Sequence, residues 1–366
     1  MKITFKRFLI ATVTLGIIGV AVLVSGIVPI KASSGHWPVT AWFLDYASDR
    51  SVDFHSNGIE VPNLDIPGMI TLGAGTYQTN CQFCHGQPGR QQPPVAQGMT
   101  PTPPQLQDSL PEMSNQETFY IVKHGIKFAG MPAWPTQRRD DEIWPVVAFL
   151  NAMPSMTNEE YRQRTRRRPS DPPEGSFNRA EPIGDNAFID EHCASCHGRD
   201  GSNNINRRVP KLAGQNEAYL AMSLRSYRAM RRHSGVMMPV AYRLTDDRID
   251  ALAKHFSSQS RLPPKEPVPK SELVETGRRL ATDGDVKKKI PSCVDCHGPG
   301  ERLRSKTYPR LAGQPAWYIE RQLELFGKRD RGGMNAKIMH KIADKLDDES
   351  RRAVAAYYAA APAASL

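Results

Sequence analysis

Outside three short motifs the sequence contains no cysteine: all six, Cys81, Cys84, Cys193, Cys196, Cys293 and Cys296, stand in pairs three apart. No thiol is left over for a structural disulfide, so apolar cores have to hold the fold. Alternation of apolar and polar residues at period two is also scarce, which argues against sheets and for an all-α chain. The formal charge is +10, yet no nucleic-acid-binding motif surrounds the basic residues. They collect in "YRQRTRRRP" and on scattered helical stretches, as solvated surface does, and no nucleic-acid partner is expected.

What is present is one unit written three times. The cysteine pairs fall in "TNCQFCHGQPG", "EHCASCHGRDG" and "PSCVDCHGPGE", and their first cysteines are 112 and 100 residues apart. Those are domain-sized intervals. "RTRRRPSDPPEGS" and "SSQSRLPPKEPVPKSE", rich in proline, serine and charge, read as linkers between them. Units 2 and 3 share "P-[KR]-L-A-G-Q" after the motif, whereas unit 1 keeps only "PPQLQ" and is the more distant copy. Each unit closes on a stretch that starts beside acidic residues, as the helix dipole favours, and then carries an apolar stripe. Ile143, Val146, Val147 and Leu150 fall at i, i+3, i+4 and i+7, and so do Ile249, Leu252, Ala253 and Phe256. The expected organisation is 1–31 N-terminus and transmembrane anchor, 32–65 connecting segment, 66–157 domain 1, 158–182 linker, 183–260 domain 2, 261–270 linker and 271–366 domain 3.

Zinc, a redox dithiol and covalent haem all use closely spaced cysteines. A structural zinc ion needs four ligands, and no second pair lies near any of these motifs. A thioredoxin-like dithiol needs a βαβ setting that this helical pattern lacks. Covalent haem accounts for the whole motif: two thiols three apart form thioethers to the two vinyl groups, and the adjacent His85, His197 or His297 lies under the iron. Three covalently bound haem c groups are therefore expected.

Each iron then needs a ligand on its other face. Unit 1 offers Met131, unit 2 Met237 or Met238, and unit 3 Met334 or Met339. Met131 precedes Ile143 by 12 residues, Met237 precedes Ile249 by 12, and Met339 precedes Arg351, the aligned position, by 12. This common offset selects Met131, Met237 and Met339, with Met238 a competitor. The bland role of a methionine is to fill a core, but three in one register after the same motif point to ligation. His124, His192, His233, His255 and His340 share no register and are expected at surfaces.

Residues 8–30 carry no charge, and 23 helical residues reach roughly 34 Å against a hydrocarbon core of about 30 Å. Lys2, Lys6 and Arg7 precede the run, which keeps the N-terminus in the cytoplasm and sends the remainder across. A cleaved signal sequence would have a shorter apolar run and a better site than "IVPIKASSG", so an uncleaved anchor is expected. The following "HWPVTAWFLDYASDRSVDF" has Val39, Trp42, Phe43 and Tyr46 at helical spacing; it suits either the membrane interface or packing on domain 1.

Each unit resembles a class I c-type cytochrome. Residues 183–360 are similar to tandem bacterial dihaem cytochromes c through CxxCHG, P-[KR]-L-A-G-Q, the distal methionine and the final acidic-start helix. Unit 1 resembles monohaem cytochrome c domains through "CHGQPG" and "GMPAWP". The resemblance implies that Pro104, Pro210 and Pro309 offer backbone carbonyls to Nδ1 of the histidines. With both axial positions filled, the chemistry is one-electron transfer rather than catalysis at iron. The expected role is a membrane-anchored electron carrier on the periplasmic side of a bacterial inner membrane. Its donor would be a quinol-linked complex or dehydrogenase, its acceptor a terminal oxidase. The alternatives are a fixed subunit of such a complex, or a haem enzyme such as a peroxidase or sulfur-compound oxidoreductase. A pyridine haemochrome assay should return three haems per chain that survive denaturation and organic extraction; replacing Cys84 and Cys81 together by alanine should leave two.

Overall fold

Three apolar cores, one for each motif, form in the computed structural model, which describes residues 4–28, 30–110, 113–165, 186–203, 206–261, 271–299 and 305–362. Among the described residues the regular structure is helical, apart from isolated bridges at Gln87–Arg90 and Asp285–Ile290. Ile143, Val147, Phe149 and Tyr77 fill the first core, Ile189, Ile249 and Phe256 the second, and Ile319, Val354 and Tyr358 the third. The stripes read from the sequence are buried as expected: Ile143, Val146, Val147 and Leu150 in one helix, Ile249, Leu252, Ala253 and Phe256 in another.

The closing helices are Trp144–Ala152, Asp246–Ser258 and Asp348–Ala360. In the second, the Thr245 side chain accepts a hydrogen bond from the backbone N–H of Arg248; in the third, Asp347 accepts from Ser350. Units 1 and 3 pack an opening helix, Met69–Asn80 and Glu272–Asp283, across the closing one. The crossing is closest at glycine. A Cβ on Gly73 would lie 1.9 Å from the Pro145 carbonyl oxygen, and one on Gly277 would lie 1.9 Å from that of Ala353.

Units 2 and 3 pair through their shared loop. Gln215 Nε2 donates to the Arg310 carbonyl (3.0 Å) and its Oε1 accepts from the Arg310 N–H (2.8 Å). Gln314 does the same to Lys211, at 2.8 and 2.9 Å. The two amides thus exchange partners across a pseudo-two-fold relation, and both are buried. Unit 1 docks on this pair through "RRDDE". Asp141 accepts from Arg139 (2.9 Å) and from Arg321 of unit 3 (2.8 Å), while Glu142 accepts from Ser234 Oγ and the Gly235 N–H of unit 2, both 2.6 Å. These acidic residues, read from the sequence as dipole partners, are contacts between units.

The linker read at 158–182 needs a correction. Asn158–Thr165 is a helix, and Tyr161 is buried in the first core, so its apolar ring belongs to unit 1. The remainder, 166–182, lies outside the described residues, as does nearly all of 261–270. The apolar helix runs Phe5–Val24, earlier than the 8–30 span, and ends at Ser25–Gly26, where Gly26 has φ +70°. It is long and apolar enough to cross a membrane, and among the described residues nothing buries it. Pro38–Ser56 forms one continuous helix that buries Val52 and Ser56 against unit 1 and leaves Trp42, Phe43 and Tyr46 exposed.

Gly277→Ala should lower the stability of unit 3 by about 1–3 kcal/mol, because the added methyl meets backbone that cannot rotate away. Thermal unfolding followed at the soret and far-ultraviolet bands of the variant and wild type checks this.

Candidate haem sites

In each unit the CxxCH segment makes a short turn of helix: Gln82–His85, Ala194–His197 and Val294–His297. The turn arises locally, since the histidine N–H bonds back to the first cysteine's carbonyl at 3.1, 2.9 and 3.0 Å. Both thiols and the imidazole are thereby brought to one short segment. Opposite lies the proline loop. Nδ1 of His85, His197 and His297 stands 2.9, 3.1 and 2.8 Å from the carbonyl oxygens of Pro104, Pro210 and Pro309. A carbonyl can only accept, so Nδ1 carries the proton and Nε2 is left with its lone pair. Among the described residues, Nε2 of these three histidines has no hydrogen-bond partner.

Burial sets the charge state. It lowers His197 to about 4 against the opposing hydrogen bond to the Pro210 carbonyl, and it lowers His85 and His297 in the same way. Burial also pushes the Cys81 and Cys193 thiols up to about 12 and Cys293 to about 11. That is opposite to what a thiolate nucleophile or a zinc ligand needs. It suits thiols that end as neutral thioethers in an apolar wall.

A single cavity of about 330 Å³ joins units 2 and 3. Its walls include Cys193, Cys196, His197 and Met237 from one unit and Cys293, Cys296, His297 and Met339 from the other. Met334 also reaches the wall but is 62% exposed, whereas Met238 is buried in the protein and is not among the lining residues. Met131 of unit 1 is half-buried in the loop after Gly130, its carbonyl accepting from the Ile126 N–H.

The cavity holds polar residues that the motif analysis missed. Arg232 donates to Ser223 Oγ (3.1 Å) and Tyr318 OH (3.1 Å), and Arg331 to Gln322 Oε1 (2.7 Å) and Tyr219 OH (3.1 Å). Both guanidinium groups are over nine-tenths buried, and among the described residues neither has a carboxylate as hydrogen-bond partner. Their charge is felt: burial alone would raise Tyr219, yet Arg232 and Arg331 hold it down at about 7. Buried positive charge without a carboxylate is costly, and two such groups facing one cavity fit a ligand that brings carboxylates, as haem does. The signal was in the repeat: Arg232 follows Tyr219, and Arg331 follows Tyr318, by 13 residues. The histidines expected at surfaces are less exposed than that. His192, His233, His255 and His340 are half-buried, with His340 Nε2 bonded to the Arg331 carbonyl at 2.9 Å, and only His124 is open to solvent.

With the turns, the neutral imidazoles and the shared cavity established, the comparisons with known proteins agree in kind. Residues 68–150 match the family described as cytochrome c oxidase, cbb3-type, subunit III, and residues 183–260 and 274–360 each match the cytochrome c family. The chain is 37% identical to a thiosulfate dehydrogenase electron acceptor of Thiomonas intermedia, over 46% of this chain and 78% of that protein. It is 34% identical to cytochrome c4 of Azotobacter vinelandii, over 45% and 82% respectively. A third relative, cytochrome c-554(548) of Halomonas halodenitrificans, is 40% identical over 19% of this chain and 84% of its own. The chain belongs to the class I c-type cytochromes, the covalent haem proteins of electron transport. It is an all-α member with cytochrome c domains in tandem.

Asp141 generates a pH prediction. Although burial opposes it, Arg139 and Arg321 hold this carboxyl at about 2. A depressed folded-state pKa contributes stability that is present above the unfolded value of about 3.9 and is lost as pH falls toward 2. Acid in that window should weaken the seat of domain 1 on domain 3, and Asp141→Asn should do so at pH 7. Less protection of the 138–142 amides against hydrogen exchange, relative to wild type at pH 7 and corrected for the intrinsic pH dependence of exchange, checks both.

Proposed function

We propose that this protein is a membrane-anchored trihaem cytochrome c that passes single electrons between a donor complex or dehydrogenase and a terminal oxidase. His85, His197 and His297 would be the proximal ligands, and Met131, Met237 and Met339 the distal ones. Cys81, Cys84, Cys193, Cys196, Cys293 and Cys296 would form the thioethers, with Pro104, Pro210 and Pro309 orienting the rings. A bound haem supplies a one-electron iron couple, which axial methionine and an apolar wall both move to higher potential. Arg232 and Arg331 would neutralise haem carboxylates where the two sites meet. Domain limits near 183 and 271 form part of this reading, with domain 1 running through Thr165.

The observation that carries the reading is the continuous cavity between the His197–Met237 and His297–Met339 sets, which gives two redox centres one common wall. Domain 1 adjoins them: a Cβ on Gly75 would lie 2.7 Å from Ser195 Oγ and 3.2 Å from Cys196 Sγ, inside the second CxxCH turn. Two sites that share a wall, with the opening helix of domain 1 packed on the second CxxCH turn, favour a relay over three independent carriers. The uncovered helix Phe5–Val24 and the exposed Trp42, Phe43 and Tyr46 of the next helix support an anchor and an interfacial segment on the periplasmic side. One family match bears an oxidase subunit's description, and one relative is an electron acceptor of a dehydrogenase; these favour a second reading, a fixed electron-transfer subunit of such a complex.

Carbon monoxide added to the reduced, detergent-solubilised protein should leave all three haem spectra unchanged, because every iron has two protein ligands. One rapidly binding haem would support a haem enzyme instead. Copurification of a dehydrogenase or oxidase at fixed stoichiometry would select the subunit over the free carrier.

A further inference from the structure

The segment leading into Met237 is held by another domain. Arg139 Nη1 donates to the His233 carbonyl at 3.3 Å, and Asn80 Nδ2 to the Gly235 carbonyl at 3.4 Å. Glu142 accepts from Ser234 Oγ through one carboxylate oxygen and from the Gly235 N–H through the other, both at 2.6 Å. Val236 packs on the core of domain 1. Trp134, three residues beyond Met131, lies so close to Gly235 that a Cβ there would stand 1.9 Å from its Nε1. Every residue from 233 to 236 therefore touches domain 1. The last link is within domain 2, where the Met237 N–H donates to Ser234 Oγ at 3.0 Å.

The position of Met237 explains why this grip matters. Met339 sits inside the helix Ala336–Ala343, with turns on both sides to hold it. Met237 is the first residue of a six-residue helix, Met237–Tyr242, so the preceding loop sets where it points. Ser234, among the described residues the only one through which domain 1 reaches the Met237 backbone by hydrogen bonds, is buried and holds its Oγ between Glu142 and the Met237 N–H.

We propose that Glu142, acting through Ser234, is a positioning residue for Met237, so that the second domain keeps its sixth ligand only while the first domain is docked. The inference rests on the assignment of Met237 as an iron ligand. Its consequence is that the contact between domain 1 and the 233–236 segment both docks the two domains and supports the Met237 side of the second site. Separation of domain 1 would open an axial position on the second haem alone.

The test uses the full-length, haem-loaded protein in detergent and reads the red charge-transfer band of methionine-ligated ferric haem, with carbon monoxide binding to the reduced form. Met237→Leu should remove about one third of the band and open one haem to carbon monoxide. Glu142→Ala and Ser234→Ala should each remove part or all of that same third, without further loss when combined with Met237→Leu. The band that remains from the other two haems reports that the chain is folded, and Ser234→Ala, which deletes one oxygen, serves if Glu142→Ala does not assemble. If Met237→Leu removes a third of the band while both other variants match wild type, the positioning role is overturned and the ligand assignment stands. If Met237→Leu leaves the band intact, the assignment itself fails and this inference with it.

Discussion

The hydrogen bond from a histidine Nδ1 to a proline carbonyl is the constraint around which the rest is arranged. It fixes the tautomer, leaves Nε2 with its lone pair and ties the CxxCH turn to a loop that comes from later in the chain. In domains 2 and 3 that loop has a second use. The residue after the proline offers its N–H and carbonyl to the other domain's glutamine, and the glycine N–H bonds to a carbonyl of the closing helix, Phe256 or Tyr358. The motif P-[KR]-L-A-G-Q thus orients a ring, closes a domain and joins two domains. A buried glutamine whose backbone partners were removed would strand donor and acceptor together, which is why such paired amides resist replacement.

Domain 1 shows the same logic by departure from it. Pro104 still holds His85, but its loop continues as Gln105-Leu106-Gln107, and Gln107 bonds within the domain, to the Met156 carbonyl and the Gly89 N–H. With no symmetric partner, it has no use for the paired glutamine. It docks by charge instead, through Arg139, Asp141 and Glu142 meeting Arg321 and the 233–235 backbone. Buried ion pairs of this kind are weak contributors to stability, and removing one partner leaves the other charge buried and unpaired.

Much of this was legible in the chain. The helical class, the buried stripes ending at Leu150 and Phe256, and the proximity of two thiols to a histidine follow from spacings of four residues or fewer, and the three units from the return of one motif at intervals of 112 and 100 residues. The common offset before the closing helix also pointed to Met237 over Met238; Met237 lines the cavity, and Met238 is buried in the protein outside its lining. Less legible was the end of domain 1. Asn158–Thr165 is polar on most of its surface and looks like linker, and only its contact with the core shows that Tyr161 is apolar cargo.

What the sequence determined by itself is the set of chemical parts and their local form, because a thioether pair, an adjacent imidazole and an amphipathic stripe are properties of near neighbours along a helix. What only the tertiary structure decided is how those parts share walls and supports. Arg232 and Arg331 become buried cations on a shared cavity wall, and Asp141 and Glu142 become contacts between domains, through partners 86 to 180 residues away. No local period encodes such pairings, since each exists only once three separately folded cores have closed the distance between them.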